Sequence, residues 1–154
     1  FSIVDGDMKI KLNMDRFSRQ YQEAQYLLDG MVMDSMIEFM PMISGDFIDR
    51  TRVKSTSMQG TGFVCAAAEP NGRFLYFGKT MVDPATGGTW ARRDAEKVLV
   101  SQYSGKTNAK ENLQYTKSPH TQVQAEWFDA AKRKYGSTWL RKVKAQAGGG
   151  RHGR

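Results

Sequence analysis

The side chains best suited to chemistry in this sequence are one thiol and two imidazoles. A catalytic cysteine needs a base within hydrogen-bond reach, and the chain offers Cys65 with only His120 and His152. His120 follows a proline that opens a predicted helix, and His152 lies in a glycine-rich tail. We interpret Cys65 as a small buried thiol and His120 as a capping or surface side chain, so the sequence predicts no catalytic residue. A single cysteine also excludes an internal disulfide and fits a protein made in a reducing cytosol.

The spacing of the acidic residues and glycines matches no metal or nucleotide motif. Asp46 and Asp49 flank a turn and have the chemistry to bind a cation with Asp5 or Asp7, but EF-hand spacing is missing and solvated turn aspartates are far more common. One cysteine and two histidines are too few for an ordinary zinc site. The Gly-Thr-Gly of residues 60–62 lacks the lysine and the strand-to-helix context of a phosphate loop. We therefore expect no metal, no cofactor and no enzymatic activity.

The positive charge of the chain is concentrated toward its C-terminal end. Of the net charge of +7, residues 1–60 contribute −2 (seven basic, nine acidic), residues 61–117 contribute +3 (eight, five) and residues 118–154 contribute +6 (eight, two). A basic end on a folded domain meets either phosphate or an acidic protein surface, and composition alone weighs the two about equally. The run Lys132-Arg133-Lys134 is interpreted first as a solvated helix face, because no aromatic residue is interleaved in it to stack on bases.

Length and periodicity divide the chain into an arm, one domain and a tail. A chain of 154 residues is the size of a single domain. Residues 1–12 alternate weakly and predict an N-terminal arm or short strand, residues 13–147 a single domain, and residues 148–154 a flexible basic tail. No stretch approaches the roughly 20 apolar residues that a membrane helix needs, so no membrane partner is expected.

Within the domain, the hydrophobic pattern changes from helical to strand-like and back. A spacing of three and four residues predicts a helix over residues 14–40, and Ser118-Pro119 opens a second helix predicted over residues 119–145. Strand-forming residues separated by glycine predict strands at 47–55, 61–68 and 73–82, the last two joined in a hairpin by Pro70-Asn71-Gly72. Residues 83–115 are expected to form a long loop with one short helix or strand near 91–103. The predicted fold class is α+β, with an antiparallel sheet of three to four strands packed by a long N-terminal helix and a C-terminal helix.

The apolar faces of the two predicted helices indicate a candidate core. Five methionines between residues 31 and 42 favour a core position over an interface, because thioether side chains fill irregular gaps. The remaining candidates are the apolar residues that share one face of each helix: Phe17, Tyr21, Ala24, Leu28 and Met31 in the first, and Val123, Trp127, Ala130, Ala131 and Tyr135 in the second.

Three stretches of the chain, at residues 40–47, 73–87 and 113–132, carry motifs in a fixed order. Together they resemble the minor capsid and tail-completion proteins of siphophages, the head-tail connector or neck family. The first, at residues 40–47, resembles the family's turn from a long helix into its first strand. The second, at residues 73–82 with the Asp-Pro-Ala-Thr-Gly turn of residues 83–87, is similar to its aromatic strand. The third, at residues 113–132, resembles its entry to the last helix. In sequence the three stretches read MPMISGDF, RFLYFGKTMV with DPATG, and LQYT leading into SPH and AEWFDAAK.

The resemblance implies a structural virion protein rather than an enzyme. It implies an oligomeric ring of identical subunits, six-fold or twelve-fold, in the neck of a tailed bacteriophage, assembled in the host cytoplasm. The ring joins the head, through portal or connector proteins, to tail tube or tail terminator proteins, and DNA passes through its lumen. The alternative is a DNA-binding or DNA-packaging accessory protein that uses the basic C-terminal region. The residues expected at subunit or partner interfaces are Met81, Trp90, Arg92, Arg93, Tyr103, Arg151 and Arg154.

Overall fold

The protein is mainly helical, with two short pairs of strands. The computed structural model describes residues 2–5, 8–11 and 15–149, and of the first two segments it describes only the backbone. The helices are α1 (Asp15–Ile37), α2 (Asp46–Ser57), α3 (Gly72–Phe77) and α4 (Trp127–Lys144), and a π-helical turn (Ala145–Gly149) follows α4. The strands are β1 (Ser2–Asp5), β2 (Met8–Lys11), β3 (Met81–Val82) and β4 (Val98–Leu99), and a 3-10 turn (Val100–Gln102) follows β4.

The predicted α+β class, with a sheet of three to four strands, is wrong. Within the described residues β1 pairs only with β2 and β3 only with β4, both antiparallel, so each sheet has two strands. An isolated antiparallel bridge joins Lys79 and Asn112 outside these strands. A two-stranded sheet offers too little apolar surface to organise a domain. The core is formed by helices instead.

The core lies where α1 packs against α4. Met33, Met36 and Met40 are buried, so the methionine-rich stretch forms core as its composition favours. The indole Nε1 of Trp139 in α4 donates to the hydroxyl of Ser35 in α1 at 3.1 Å. α1 ends at Ile37, three residues before the predicted end, and the chain turns there ahead of Pro41.

The predicted strand at 47–55 is helix α2. Its buried positions, Ile48, Thr51 and Ser55, are three and four residues apart, which is a helical period rather than the period of two expected in a strand. Gly45, with φ of 92°, sets the turn into the helix. Acidic residues in the first turn and a lysine in the last turn suit the helix dipole. The β-branched residues of this segment favour a strand locally, and burial of one helical face outweighs that preference.

The predicted strand at 61–68 has no strand partner. Hydroxyl groups of α2 take the place that a neighbouring strand would have. Ser55 Oγ donates to the carbonyl of Cys65 at 3.0 Å and accepts from its N–H at 3.1 Å, and Thr51 Oγ1 accepts from the N–H of Ala68 at 3.1 Å. The backbone polar groups of an irregular segment are thus satisfied by side chains, which removes the need for a sheet.

The predicted strand at 73–82 divides into α3 and the two-residue β3, and the predicted hairpin between 61–68 and 73–82 is wrong. The turn at residues 70–72 leads into α3, and Gly72 packs so closely on Ala67 that a Cβ atom would lie 2.6 Å from the Ala67 carbonyl carbon. Gly78 ends α3 with φ of 65°, a left-handed conformation in which glycine has no steric cost. Aromatic residues favour a strand here, but these two glycines start and stop a helix.

The last helix begins at Trp127, not at residue 119. Residues 118–126 instead run alongside other elements: Gln124 N–H donates to the carbonyl of Phe39 at 3.2 Å, and Glu126 N–H to that of Tyr76 at 2.8 Å. Glu126 has φ of 51°, which ends this irregular stretch and starts α4. Among the described residues, no helix is both long and apolar enough to cross a membrane.

Candidate functional site

The three stretches that carry the resemblance meet around one buried side chain, Trp127. Its ring packs edge-on against Tyr76 and Phe47, with centroid distances of 4.9 Å and 5.9 Å. Phe47 belongs to the first stretch, Tyr76 to the second and Trp127 to the third. The indole Nε1 also donates to the carbonyl of Ala66 at 2.7 Å. Trp127 is fully buried, so in this chain the three stretches share a packing centre.

Further hydrogen bonds join the same stretches nearby. The carbonyl of Met40 accepts a hydrogen bond from Nδ1 of half-buried His120 at 2.9 Å. The hydroxyl of Tyr115 donates to the carbonyl of Leu75, and burial raises the pKa of this phenol. His120 therefore connects the third stretch to the start of the first, a role for which its position beside a proline gave no signal.

Cys65 and His120, the candidate thiol and the candidate base that the structure describes, are not brought together. Cys65 is half-buried, and the hydrogen bonds at this residue join its backbone to Ser55. His120 is engaged with Met40, and no hydrogen bond joins it to Cys65 in the part of the chain that the structure describes. His152 lies outside the described residues.

The aspartates considered for a cation do not form a cluster in the described segments. Asp46 accepts from the hydroxyl of Ser44 at 2.8 Å, in the first turn of α2 with Asp49. Asp5 is described only as backbone and Asp7 lies outside the described residues. Over the described residues, no group of three or more His, Cys, Asp or Glu side chains is arranged to hold a metal ion.

The most elaborate polar arrangement is centred on Asp83, whose side chain is completely buried. Its Oδ1 accepts from the N–H groups of Ala85 and Thr86 at 2.8 and 3.3 Å. Its Oδ2 accepts from the backbone N–H and from Nε of Arg92, both at 3.0 Å. The N–H and then the guanidinium of Arg92, with the other amides, hold the pKa of this carboxyl well below its usual range. One carboxylate therefore fixes both ends of residues 83–92. We call residues 83–93 the Asp83 turn.

The rest of the long loop is ordered around this turn. The side chain of Tyr103 fills the space beside Gly87 and Gly105; a Cβ atom on Gly87 would lie 2.8 Å from the Tyr103 ring. Thr107 Oγ1 donates to the carbonyl of Gly87 at 2.6 Å. Residues 83–115, although nearly free of regular structure, are thus held by side-chain packing and hydrogen bonds.

The predicted interface residues fall into three groups. Trp90 is 90% exposed and lies on the Asp83 turn with the exposed Arg93 and with Arg92, whose guanidinium is bound to Asp83. Met81 in β3 and Tyr103 are half-buried, and Tyr103 packs inside the loop. Arg151 and Arg154 lie outside the described residues. The structure therefore brings together Trp90, Arg92 and Arg93, which sit on one exposed turn.

A second surface feature was not anticipated from the sequence. An apolar groove of about 430 Å³ opens between α1, residues 62–66, Tyr76 of α3 and Phe128 of α4. Its wall on α1 includes Leu28 and Val32. Only the helical period of α1 hints at it, since Leu28 belongs to the face predicted to be buried. The irregular segment that forms the opposite wall had been predicted as a strand.

Comparison of the chain with protein-family models, with curated proteins and with solved structures finds no match.

Proposed function

We propose that this protein is a structural subunit of a tailed-bacteriophage virion, one of the identical subunits of a ring in the neck. In this role it joins portal or connector proteins on the head side to tail tube or tail terminator proteins, and it catalyses no reaction. Its contribution is the formation of repeated contacts around a closed rotation.

The observation that carries this proposal is the Asp83 turn. A fully buried carboxylate with four hydrogen-bond donors holds a loop that adds little to the core and presents Trp90, an aromatic side chain that is 90% exposed. Tryptophan and arginine are the residues most enriched among binding hot spots. A loop that is both fixed and aromatic at its surface is typical of a protein that works by binding other proteins.

The resemblance to siphophage neck proteins supports the proposal because the motif residues pack together. The strands that the resemblance implied do not support it. The motif stretches pack together around Trp127. The strands that the resemblance implied after residue 45 and over residues 73–82 are replaced by α2 and by α3 with the short β3.

The test is to locate the subunit in the particle. A small tag at an exposed loop position, combined with electron microscopy of intact virions from the phage that encodes the chain, should place the density between head and tail with rotational symmetry. Purified chain should also associate with portal, connector or tail proteins of the same phage. A protein that stays monomeric, binds none of them and is missing from the neck contradicts the proposal.

A second candidate, a DNA-binding accessory protein, is favoured by the basic surface of α4. This helix carries six basic residues, and among the described parts of the chain only Lys134 of these forms an ion pair, with Glu38 at 2.8 Å. Such a protein should bind short duplex DNA with an affinity that falls steeply between about 50 and 200 mM salt, because cations displaced from phosphate return as salt rises. Replacing Lys142 and Lys144 by glutamine should then abolish that binding. A neck subunit should show only weak, nonspecific affinity.

A further inference from the structure

The apolar groove is large enough to receive an aromatic side chain from outside. Its volume of about 430 Å³ is within the range of clefts that bury small ligands, about 300–1,000 Å³. Leu28, Val32 and Met36 of α1 line the groove together with Val64 and Phe128. The groove is therefore suited to an apolar group wider than a single aliphatic side chain.

The polar groups at the groove are acidic or neutral. Asp29 lines it and is almost completely buried, with its carboxylate accepting from Gln25 Nε2 at 2.7 Å and from the N–H groups of Gly60 and Gly62 at 2.7 and 3.1 Å. These three donors hold the Asp29 carboxylate in place beside the groove. None of the described residues that line the groove is basic.

The far wall of the groove is also close to negative charge. Tyr76 lines the groove, and the pKa of its phenol is raised by burial and then by the charges of Asp129 and Glu126. Asp29 thus lines the groove, and the charges of Asp129 and Glu126 act on Tyr76, which also lines it. Its electrostatic character favours an apolar group that is accompanied by a cation.

The Asp83 turn presents such a group. Trp90 combines a large apolar ring with one N–H donor, and it projects into solvent at 90% exposure. Arg93, three residues further on, is exposed and forms no ion pair within the described part of the chain. Its charge is available to a partner, whereas that of Arg92 is used by Asp83.

We propose that Trp90 of one copy inserts into the apolar groove of a second copy, with Arg93 facing the carboxylates of Asp129 and Glu126. The inference rests on the proposed function, because it names the contact between neighbouring subunits of the ring. No residue of the Asp83 turn lines the groove, so the contact uses two different surfaces of the same chain. Such a head-to-tail contact leaves one tryptophan and one groove free at each step, and it closes into a ring when the rotation permits.

Two complementary variants test this contact by sedimentation velocity over a wide concentration range. Trp90→Ala removes the inserted ring and keeps the groove, and Leu28→Arg places a cation in the groove and keeps Trp90. Wild-type chain should associate beyond a dimer as concentration rises, and each variant alone should be weakened by about 30-fold or more, the threshold for a hot-spot side chain. Mixed in equal amounts, the two variants should form a heterodimer that grows no further. One variant lacks Trp90, and the other lacks an apolar groove that can receive it.

The control variant is Ile43→Ala, which removes another apolar side chain of similar exposure, 95%, and should assemble as wild type does. Because Leu28→Arg risks misfolding, a photocrosslinking amino acid at position 90 of the otherwise unchanged chain gives an independent readout. Crosslinks to the segment containing Val64 or to the second half of α1, residues 25–37, of another copy support the proposal. Crosslinks elsewhere on a second copy, or only to a different protein, overturn it.

The outcomes separate this contact from the proposed function. Wild type that stays monomeric at the highest concentration, or Trp90→Ala that assembles as wild type does, overturns the contact. If Trp90→Ala is nevertheless incorporated at the virion neck, the proposed function stands without this contact. If wild-type chain is missing from the neck while the mixed variants dimerise, the contact stands and the neck assignment fails.

Discussion

Replacing Thr51 by valine removes one oxygen atom from the junction between α2 and residues 61–68. Thr51 is completely buried, and its Oγ1 donates to the carbonyl of Phe47 at 2.8 Å and accepts from the N–H of Ala68 at 3.1 Å. Valine has nearly the same shape, so the substitution leaves no cavity. The Phe47 carbonyl keeps its bond within the helix, but the Ala68 N–H loses its acceptor.

The expected magnitude follows from that single lost acceptor. A buried donor left without a partner costs about 1–3 kcal/mol. For a chain of about 150 residues each kcal/mol shifts the melting temperature by roughly 2–4 °C. We therefore expect Thr51→Val to lower the free energy of unfolding by about 2 kcal/mol and the melting temperature by about 4–8 °C. Calorimetry and urea denaturation measure both quantities.

A matched control lies one turn and a half further along α2. Thr56 also donates to a backbone carbonyl, that of Arg52 at 2.9 Å, but it is exposed and accepts no bond from another segment. Thr56→Val should change the free energy of unfolding by less than about 0.5 kcal/mol. Amide hydrogen exchange at Ala68 should accelerate in Thr51→Val only. Equal effects of the two substitutions would refute the reasoning that hydroxyls of α2 replace a strand partner.

Three further perturbations probe the loop and the packing centre. Asp83→Asn should destabilise the protein at neutral pH, because the pKa of Asp83 is lowered in the folded state. The contribution of the carboxylate to the free energy of unfolding is fully present above the unfolded pKa of about 3.9. It disappears as the pH falls through the folded pKa. Urea midpoints of wild type and variant should therefore converge below about pH 4, and a constant difference down to pH 2 contradicts this. Gly87 has φ of 67° and packs against Tyr103, so Gly87→Ala should lower the free energy of unfolding by about 1–3 kcal/mol in thermal melts. Gly88→Ala, whose nearest contact is at 3.4 Å, should lower it clearly less. Similar losses for the two variants argue against the packing described. Trp127→Phe removes an indole donor and leaves a void, so we expect a loss of about 2–4 kcal/mol by chemical denaturation; a loss below 1 kcal/mol means that Trp127 is not the packing centre.

The helical faces show which part of the fold periodicity predicts. On α4 the apolar residues at helical spacing, Trp127, Ala130 and Ala131, are all buried. On α1 the same logic predicts burial of Phe17 and Tyr21, yet they are 49% and 64% exposed. Periodicity identifies which side chains share a face. It does not say where along the helix a neighbouring element covers that face, since this depends on long-range packing.

The strand predictions failed because local preference was the only information in those segments. Residues 47–55 and 73–82 are rich in β-branched and aromatic residues, which fit strands but are decided by context. Here the deciding contexts are contacts with a neighbouring segment of the chain: the hydrogen bonds between Ser55 and Cys65, and the close packing of Gly72 on Ala67. Neither contact is visible as a pattern in the sequence. The turn residues were correctly located in each case, but what followed each turn was a helix.

The sequence predicted part of the candidate surface. Trp90, Arg92 and Arg93 stand out as large binding residues in a segment without periodicity, and the structure places them together on one turn. The role of Asp83 and the groove beside Leu28 require the fold, because each is made by residues distant in sequence or by backbone groups. The Asp-Pro-x-Thr-Gly sequence was recognised as a turn. Its buried carboxylate could not be inferred, since turn aspartates are usually solvated.

The burial of Asp83 is itself an argument about function. Removing a carboxylate from water is costly, and a buried ion pair is often no more stabilising than apolar residues of the same size. Here the pair with Arg92 lies in a loop, away from the core of α1 and α4, so its main effect is to fix backbone geometry. A loop that serves only as a connection does not need a fixed backbone geometry. Fixing the loop in advance lowers the entropy lost in the proposed binding of Trp90 by a partner. The one strongly perturbed carboxylate in the described residues thus lies on the same turn as an aromatic side chain that is 90% exposed.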